Sequence, residues 1–171
     1  MGMKTAKTLA QSAVLVALAL ALSYTERFIP LQMVIPLPGV KLGLANIATL
    51  VALYALGWQK AIPIVVVRCF LGALFGGLTG ILFSLTGGLL SLGVMAACKK
   101  IPVFSIYGVS ILGAAAHNIG QIFAAMALMG SVYVWAYLPY LLFIAIFTGT
   151  ATGAACAGVL RAFQLVRISN R

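Results

Sequence analysis

Seven polar residues stand apart in a chain that is otherwise almost wholly apolar: Arg27, Lys41, Asn46, Arg68, His117, Asn118 and Gln121. Three are cations, one is an imidazole and three are amides, so their shared chemistry is hydrogen-bond donation toward an oxyanion. Lys41 stands at the start of an apolar run, just after the breakers Pro36, Pro38 and Gly39, and Asn46 follows about one helical turn further in. A cation at the lip and an amide inside suit a binding site, although a lysine in this position also serves simply to anchor a helix end at the headgroups.

The remaining polar residues fall inside long apolar runs. Arg68 interrupts the stretch 61–98, and an arginine at mid-span costs about 2.5–3.5 kcal/mol on insertion scales. Its partner is a set of backbone carbonyls, an inward-folded Glu26 or an anionic ligand, because Glu26 is the sole acid of the chain. His117 and Gln121 lie four apart and share a helix face, with Asn118 beside them. Such a cluster lines a functional cavity or makes interhelical hydrogen bonds. Read together, the cations run from an outer mouth inward, with neutral partners alongside, and this arrangement fits a small anionic ligand.

Long apolar elements must position these groups. Hydrophobic residues make up 64% of the 171 and charged residues 7%, far from the composition of a soluble domain. The uncharged stretches divide into six spans, at about 9–24, 42–57, 61–75, 80–98, 105–129 and 138–161. The expected fold is an all-α polytopic membrane protein, one six-helix domain over 1–171. Runs such as Ala13 to Leu22 do not alternate as β-barrel strands do. With the N-terminus inside, Lys4, Lys7, Lys60, Lys99, Lys100, Arg161, Arg167 and Arg171 fall on the cytoplasmic side, only Arg27 and Lys41 fall outside, and Arg68 is buried in a span. That is a strong positive-inside pattern, and it accounts for the net charge of +10 without a nucleic-acid partner.

Between the first two spans, the segment 25–41 is too broken by prolines to cross and too apolar to float, so it is expected to cover the outer mouth as a lid. The first span carries Ala6, Ala10, Ala13, Ala17 and Ala21, a strip of small residues that admits close approach of a helix from this bundle or from a partner. Cys69, Cys98 and Cys156 show no metal-ligand spacing, and no GxxxxGK[ST] is present, so neither a metal, a cofactor nor an ATPase site of its own is expected.

The motifs PGVKLGLAN (38–46), VVVRCFLGALFGG (65–77), SLTGGLLSLGVMA (84–96) and GAAAHNIGQ (113–121) occur in order along nearly the whole chain. They resemble the Gx transporter family, also described as heptaprenyl diphosphate synthase component I, which is similar to the substrate-binding S components of energy-coupling factor (ECF) importers. The resemblance implies a six-helix receptor in the bacterial cell membrane, with both termini cytoplasmic. It implies a vitamin-like or isoprenoid-related cargo, and as partners a transmembrane coupling protein and two ATPases. It places the coupling-protein contact on Ala13, Ala17 and Ala21, and the ligand cover on the segment after the first span. The synthase label does not imply catalysis here: chain elongation needs carboxylate clusters to hold magnesium on a diphosphate, and one glutamate cannot supply them. The competing reading is a non-catalytic accessory subunit of a prenyl-diphosphate, quinone or redox system.

Overall fold

The uncharged stretches do become helices, and where they stop is decided by glycine and by side chains that capture backbone groups. The computed structural model describes residues 2–29 and 41–169, and among them there is no strand. Five helices follow in order: α1 (Gly2–Thr25), α2 (Asn46–Ala55), α3 (Trp58–Cys98), α4 (Ile106–Met129) and α5 (Leu138–Ser169). Short 3₁₀ turns occupy Glu26–Phe28 and Val132–Tyr137. Positions 30–40, the greater part of the expected lid, lie outside the described residues.

One expectation about boundaries needs correction. The span predicted over 42–57 is helical only across the 10 residues Asn46–Ala55, a length of about 15 Å against a hydrocarbon core of about 30 Å. The reason is local. Gly43 has φ +83°, a left-handed conformation that glycine adopts without penalty. The N–H groups of Lys41 and Leu44 donate to the side chains of Gln121 and Glu26 instead of continuing a helical ladder. Irregular backbone at this depth is tolerated because protein groups satisfy it.

The break left between the expected spans 61–75 and 80–98 is present, because α3 consists of two helices that meet at Gly77. Gly77 (φ 65°, ψ −170°) is the non-helical residue between arms 58–76 and 78–98, and the arms fold back on each other, since Ala61 and Ile64 share a core with Met95 and a Cβ at Gly88 would meet Val65 and Arg68. Counting these arms separately gives six helical segments. Among the described residues, four stretches are both long and apolar enough to cross a bilayer: Ala6–Thr25, Gly76–Cys98, Ile106–Met129 and Val132–Phe163.

Packing fixes how the segments run. Leu15 of α1 joins Leu50–Leu53 of α2, Ala61 and Ile64 of the first α3 arm, Met95 of the second, Val109 of α4 and Cys156 of α5 in one core. Nearer the other end of α1, Ala19 meets Ala45 and Ala48. Hence α1 and α2 are antiparallel, and the core containing Leu53 and Met95 marks one end of the bundle. Lys99 caps that end: its Nζ donates to the Leu53 carbonyl at 2.9 Å and sits 4.6 Å over the Tyr54 ring, satisfying the C-terminal end of α2. At the opposite end, Phe83, Ile122, Ala125, Val134 and Leu141 form a second core. The buried polar groups described below lie between these two cores.

Candidate functional site

Arg68 lies about 15 Å along α3 from Trp58, at the middle of a bundle one bilayer thick. It is only 5% exposed. One terminal nitrogen, Nη2, donates to Asn46 Oδ1 at 3.3 Å, which ties α3 to the first residue of the half-length α2. The second arm of α3 makes room for it with two adjacent glycines. A Cβ at Gly88 would stand 3.0 Å from Arg68 Nη2, and one at Gly87 would stand 2.8 Å from His117 Nδ1. Glycine is therefore required here by close approach, because any side chain would occupy the space of the guanidinium or the imidazole.

His117 and Gln121 of α4 complete the wall. Their side chains meet at 3.1 Å, Gln121 Nε2 against His117 Nε2. Since Gln121 Oε1 accepts from the Lys41 backbone N–H at 3.4 Å, its amide nitrogen is the group that faces the ring. His117 Nε2 then accepts, and the neutral ring carries its proton on Nδ1. Among the described residues, the buried side-chain atoms without a partner are, beside the Thr49, Ser91 and Ser110 hydroxyls, three nitrogens of this cluster: Arg68 Nε, Asn46 Nδ2 and His117 Nδ1, the last of them facing the Gly87 backbone. Buried polar groups are normally satisfied. Three orphaned donors on three helices, all within one cluster, point to an acceptor-rich guest.

The loop that enters the bundle brings two more charged groups. Lys41 donates through Nζ to Ser84 Oγ at 3.2 Å, anchoring the loop to the second arm of α3. Gly43 packs against the cluster itself, with its Cβ direction 3.0 Å from His117 Cδ2 and 3.1 Å from Asn46 Nδ2. Glu26, in the turn after α1, is 7% exposed and accepts from the Leu44 N–H at the entry to α2. A carboxylate there complements the positive end of the α2 dipole. Burial nevertheless pushes Glu26 up to about 7, against the Leu44 hydrogen bond and the charges of Lys41 and Arg68, which hold it down.

The structure thus brings together Lys41, Asn46, Arg68, His117 and Gln121. It separates Asn118 from them, because Asn118 Nδ2 donates to the Leu141 carbonyl of α5 at 2.7 Å and serves the α4–α5 contact. The side chain of Arg27 lies outside the described residues. Ala13, Ala17 and Ala21 are exposed along α1, whose buried positions are Leu15 and Ala19, so the strip faces away from this bundle. No group of three or more metal-ligating side chains occurs among the described residues.

Glu26, Ser84 and the Gly87–Gly88 notch were not among the seven candidate site residues, although an inward-folded Glu26 was one of the partners left open for Arg68 and the two glycines lie in the 84–96 motif. Glu26 had a signal in being the only acid among 11 Lys and Arg residues. Its place after the first span suggested an outer surface position, and only the re-entrant path of 41–45 takes it inside.

Residues 15–159 match the family described as Heptaprenyl diphosphate synthase component I, and the chain belongs to that family. No curated protein and no solved structure matches it. Family membership read from the four motifs is therefore established, and the chain is an all-helical membrane component of a family named for a synthase subunit.

Proposed function

We propose that this protein is the substrate-binding component of an ECF-type importer, capturing a small anionic metabolite in the cluster around Arg68. The observation that carries the reading is the set of unpartnered donors on Arg68, Asn46 and His117, buried within an apolar bundle. Leaving three such groups unsatisfied costs several kcal/mol in total at about 1–3 kcal/mol each, a cost that makes sense if a ligand removes it. The cargo carries oxyanion chemistry, shared by a carboxylate, a phosphate and the diphosphate head of an isoprenoid precursor.

The importer reading also uses α1. Its alanines face outward at a spacing of four, a surface suited to a second membrane protein and of no use to this bundle's own packing. In this reading the six segments all cross or enter the cell membrane, both termini are cytoplasmic, and a coupling protein with two ATPases supplies the energy that the chain lacks. The protein itself binds and delivers, and performs no catalysis.

The family description favours a second reading, a non-catalytic membrane subunit that presents a prenyl-diphosphate or quinone precursor to a soluble enzyme. Purification of the tagged protein from native membranes in mild detergent, with identification of every companion, separates the two. Recovery of a transmembrane coupling protein with two ATPases is the expected result. Recovery of a soluble prenyltransferase or redox protein without ATPases overturns the importer reading in favour of the second.

A further inference from the structure

Glu26 is the one acidic side chain in a chain with 11 Lys and Arg residues, and the fold buries it where the ligand is expected to sit. Its carboxyl closes the base of the loop between α1 and α2 by accepting from Leu44 N–H. Leu44 adjoins Gly43, whose Cβ direction points at both Asn46 Nδ2 and His117. The charged groups that act on this carboxyl are Lys41 from the loop and Arg68 from α3. The backbone N–H groups of Gly43 and Leu44, just before α2, also face it, and the side chain of Arg27 in its own turn lies outside the described residues.

We infer that Glu26 is the proton site of this pocket: it takes up a proton when an oxyanion binds at the free donors of Arg68, Asn46 and His117, so that anion and proton are captured together. The inference rests on the reading of the cluster as an anion site. Its geometry argues against simple displacement of the carboxylate, because Glu26 is held at the entry to α2 by Leu44 N–H, within reach of the Arg68 charge, and engages none of the unpartnered donors. A guest anion therefore arrives next to a carboxylate that stays, and two like charges in one buried site drive one of them to protonate. The balance is plain: the carboxylate and one proton from water give the neutral acid, with no other bond made or broken. The acid still accepts from Leu44 through its carbonyl oxygen and gains an O–H to donate to the guest. Burial that already raises Glu26 to about 7 places this step in the neutral range. The ligand class follows: an anion with an acceptor oxygen free to receive the new O–H.

Linkage fixes the sign. Because binding takes up a proton, affinity falls as pH rises above about 7, by up to about tenfold per pH unit. The probe is sulfate, whose charge does not change across the neutral range, added to the full chain in lipid nanodiscs. Calorimetry reads binding, and infrared difference spectroscopy reads the protonated-carboxyl C=O stretch, which Glu26→Gln assigns. Expected are a band that grows with sulfate at pH 7.5, a sulfate affinity that weakens about tenfold per unit above pH 7, and a pH-independent affinity in Glu26→Gln. The amide of that variant still accepts from Leu44 N–H and keeps the loop closed. His117→Gln weakens binding but keeps the pH slope.

Sulfate binding with an unchanged or shrinking carboxyl band overturns the inference and leaves the anion-site reading standing. Loss of the pH slope in His117→Gln moves the proton to the imidazole and also overturns it. Absence of sulfate binding at every pH, in both the wild type and Glu26→Gln, removes the anion site and this inference with it, whereas the identity of the co-purifying partners is read independently.

Discussion

Replacing Arg68 by methionine separates a residue kept for function from one kept for stability. The substitution preserves an unbranched, flexible side chain of similar reach in a site that is 5% exposed. It removes a charge whose placement at mid-span costs about 2.5–3.5 kcal/mol. Against this, it loses the hydrogen bond to Asn46 Oδ1 and leaves that oxygen unsatisfied, at a cost of about 1–3 kcal/mol. The difference runs from about −0.5 to about 2.5 kcal/mol, mostly on the stabilising side, consistent with the general finding that buried charges are exchanged for apolar groups at little cost. At about 2–4 °C per kcal/mol for a chain of this size, the unfolding midpoint in detergent should hold or rise by a few degrees. Anion binding should behave oppositely: deleting one member of a buried charged pair costs about 2–5 kcal/mol, or roughly 30-fold or more in affinity. Thermal unfolding followed by tryptophan fluorescence, paired with sulfate titration, measures both. A midpoint lowered by more than about 5 °C with sulfate affinity unchanged would refute the argument, since Arg68 would then hold the bundle together and not the ligand.

The other positions divide by what their neighbours can yield. Asn118→Leu removes the bond to the Leu141 carbonyl and should cost about 0.6–2 kcal/mol in thermal stability while leaving sulfate affinity unchanged, because that side chain faces α5. A Cβ at Gly120 would meet backbone, the Thr86 carbonyl at 2.7 Å and Gly87 Cα at 2.8 Å, so Gly120→Ala must push α3 and α4 apart and should cost about 1–3 kcal/mol. Gly88→Ala instead meets the tip of the Arg68 side chain and Val65 Cγ1, both at 3.0 Å. It should melt higher than Gly120→Ala in the same assay yet bind sulfate more weakly than the wild type. Ala17→Leu, at an exposed position on α1, should leave both stability and sulfate binding unaltered but abolish co-purification of the coupling protein and its ATPases. Retention of those partners would remove α1 as the docking face.

Helices were legible in the sequence because lipid leaves little choice: an apolar run without charges must satisfy its backbone internally. The boundaries at Met129 and Leu138 follow that rule closely, as does the exposed strip on α1. What periodicity could not show was where an apolar run stops being helix. Residues 42–45 have the composition of a span, yet Gly43 turns left-handed and two distant side chains, Glu26 and Gln121, take the N–H groups at Leu44 and Lys41. A hydrogen bond spanning eighteen residues or eighty is invisible to any local pattern. The same limit explains Asn118, which is one residue from His117 but turns to the opposite neighbour, a 100° difference around the helix that sequence registers only once the partners' positions are known.

The half-length α2 gives these details a common cause. A helix that began at the membrane surface would carry its N-terminal donors into water, where they recognise nothing. By starting at Asn46, alongside Arg68, α2 delivers its N–H groups and its dipole to the middle of the bundle, as the broken helices of transporters do. That arrangement needs an anion at neutral charge cost, and the chain contains a single residue able to supply one before cargo arrives. Glu26 fits that requirement, since it is near enough to its protonation point to stabilise the empty site as a carboxylate and to yield as a neutral acid when a guest anion enters. On this view the lone acid in a strongly basic membrane protein is the element that lets one pocket be stable both empty and filled. Glu26→Gln, which fixes the filled-state charge permanently, should therefore bind sulfate at pH 8 more tightly than the wild type, and weaker binding in that variant would contradict the argument.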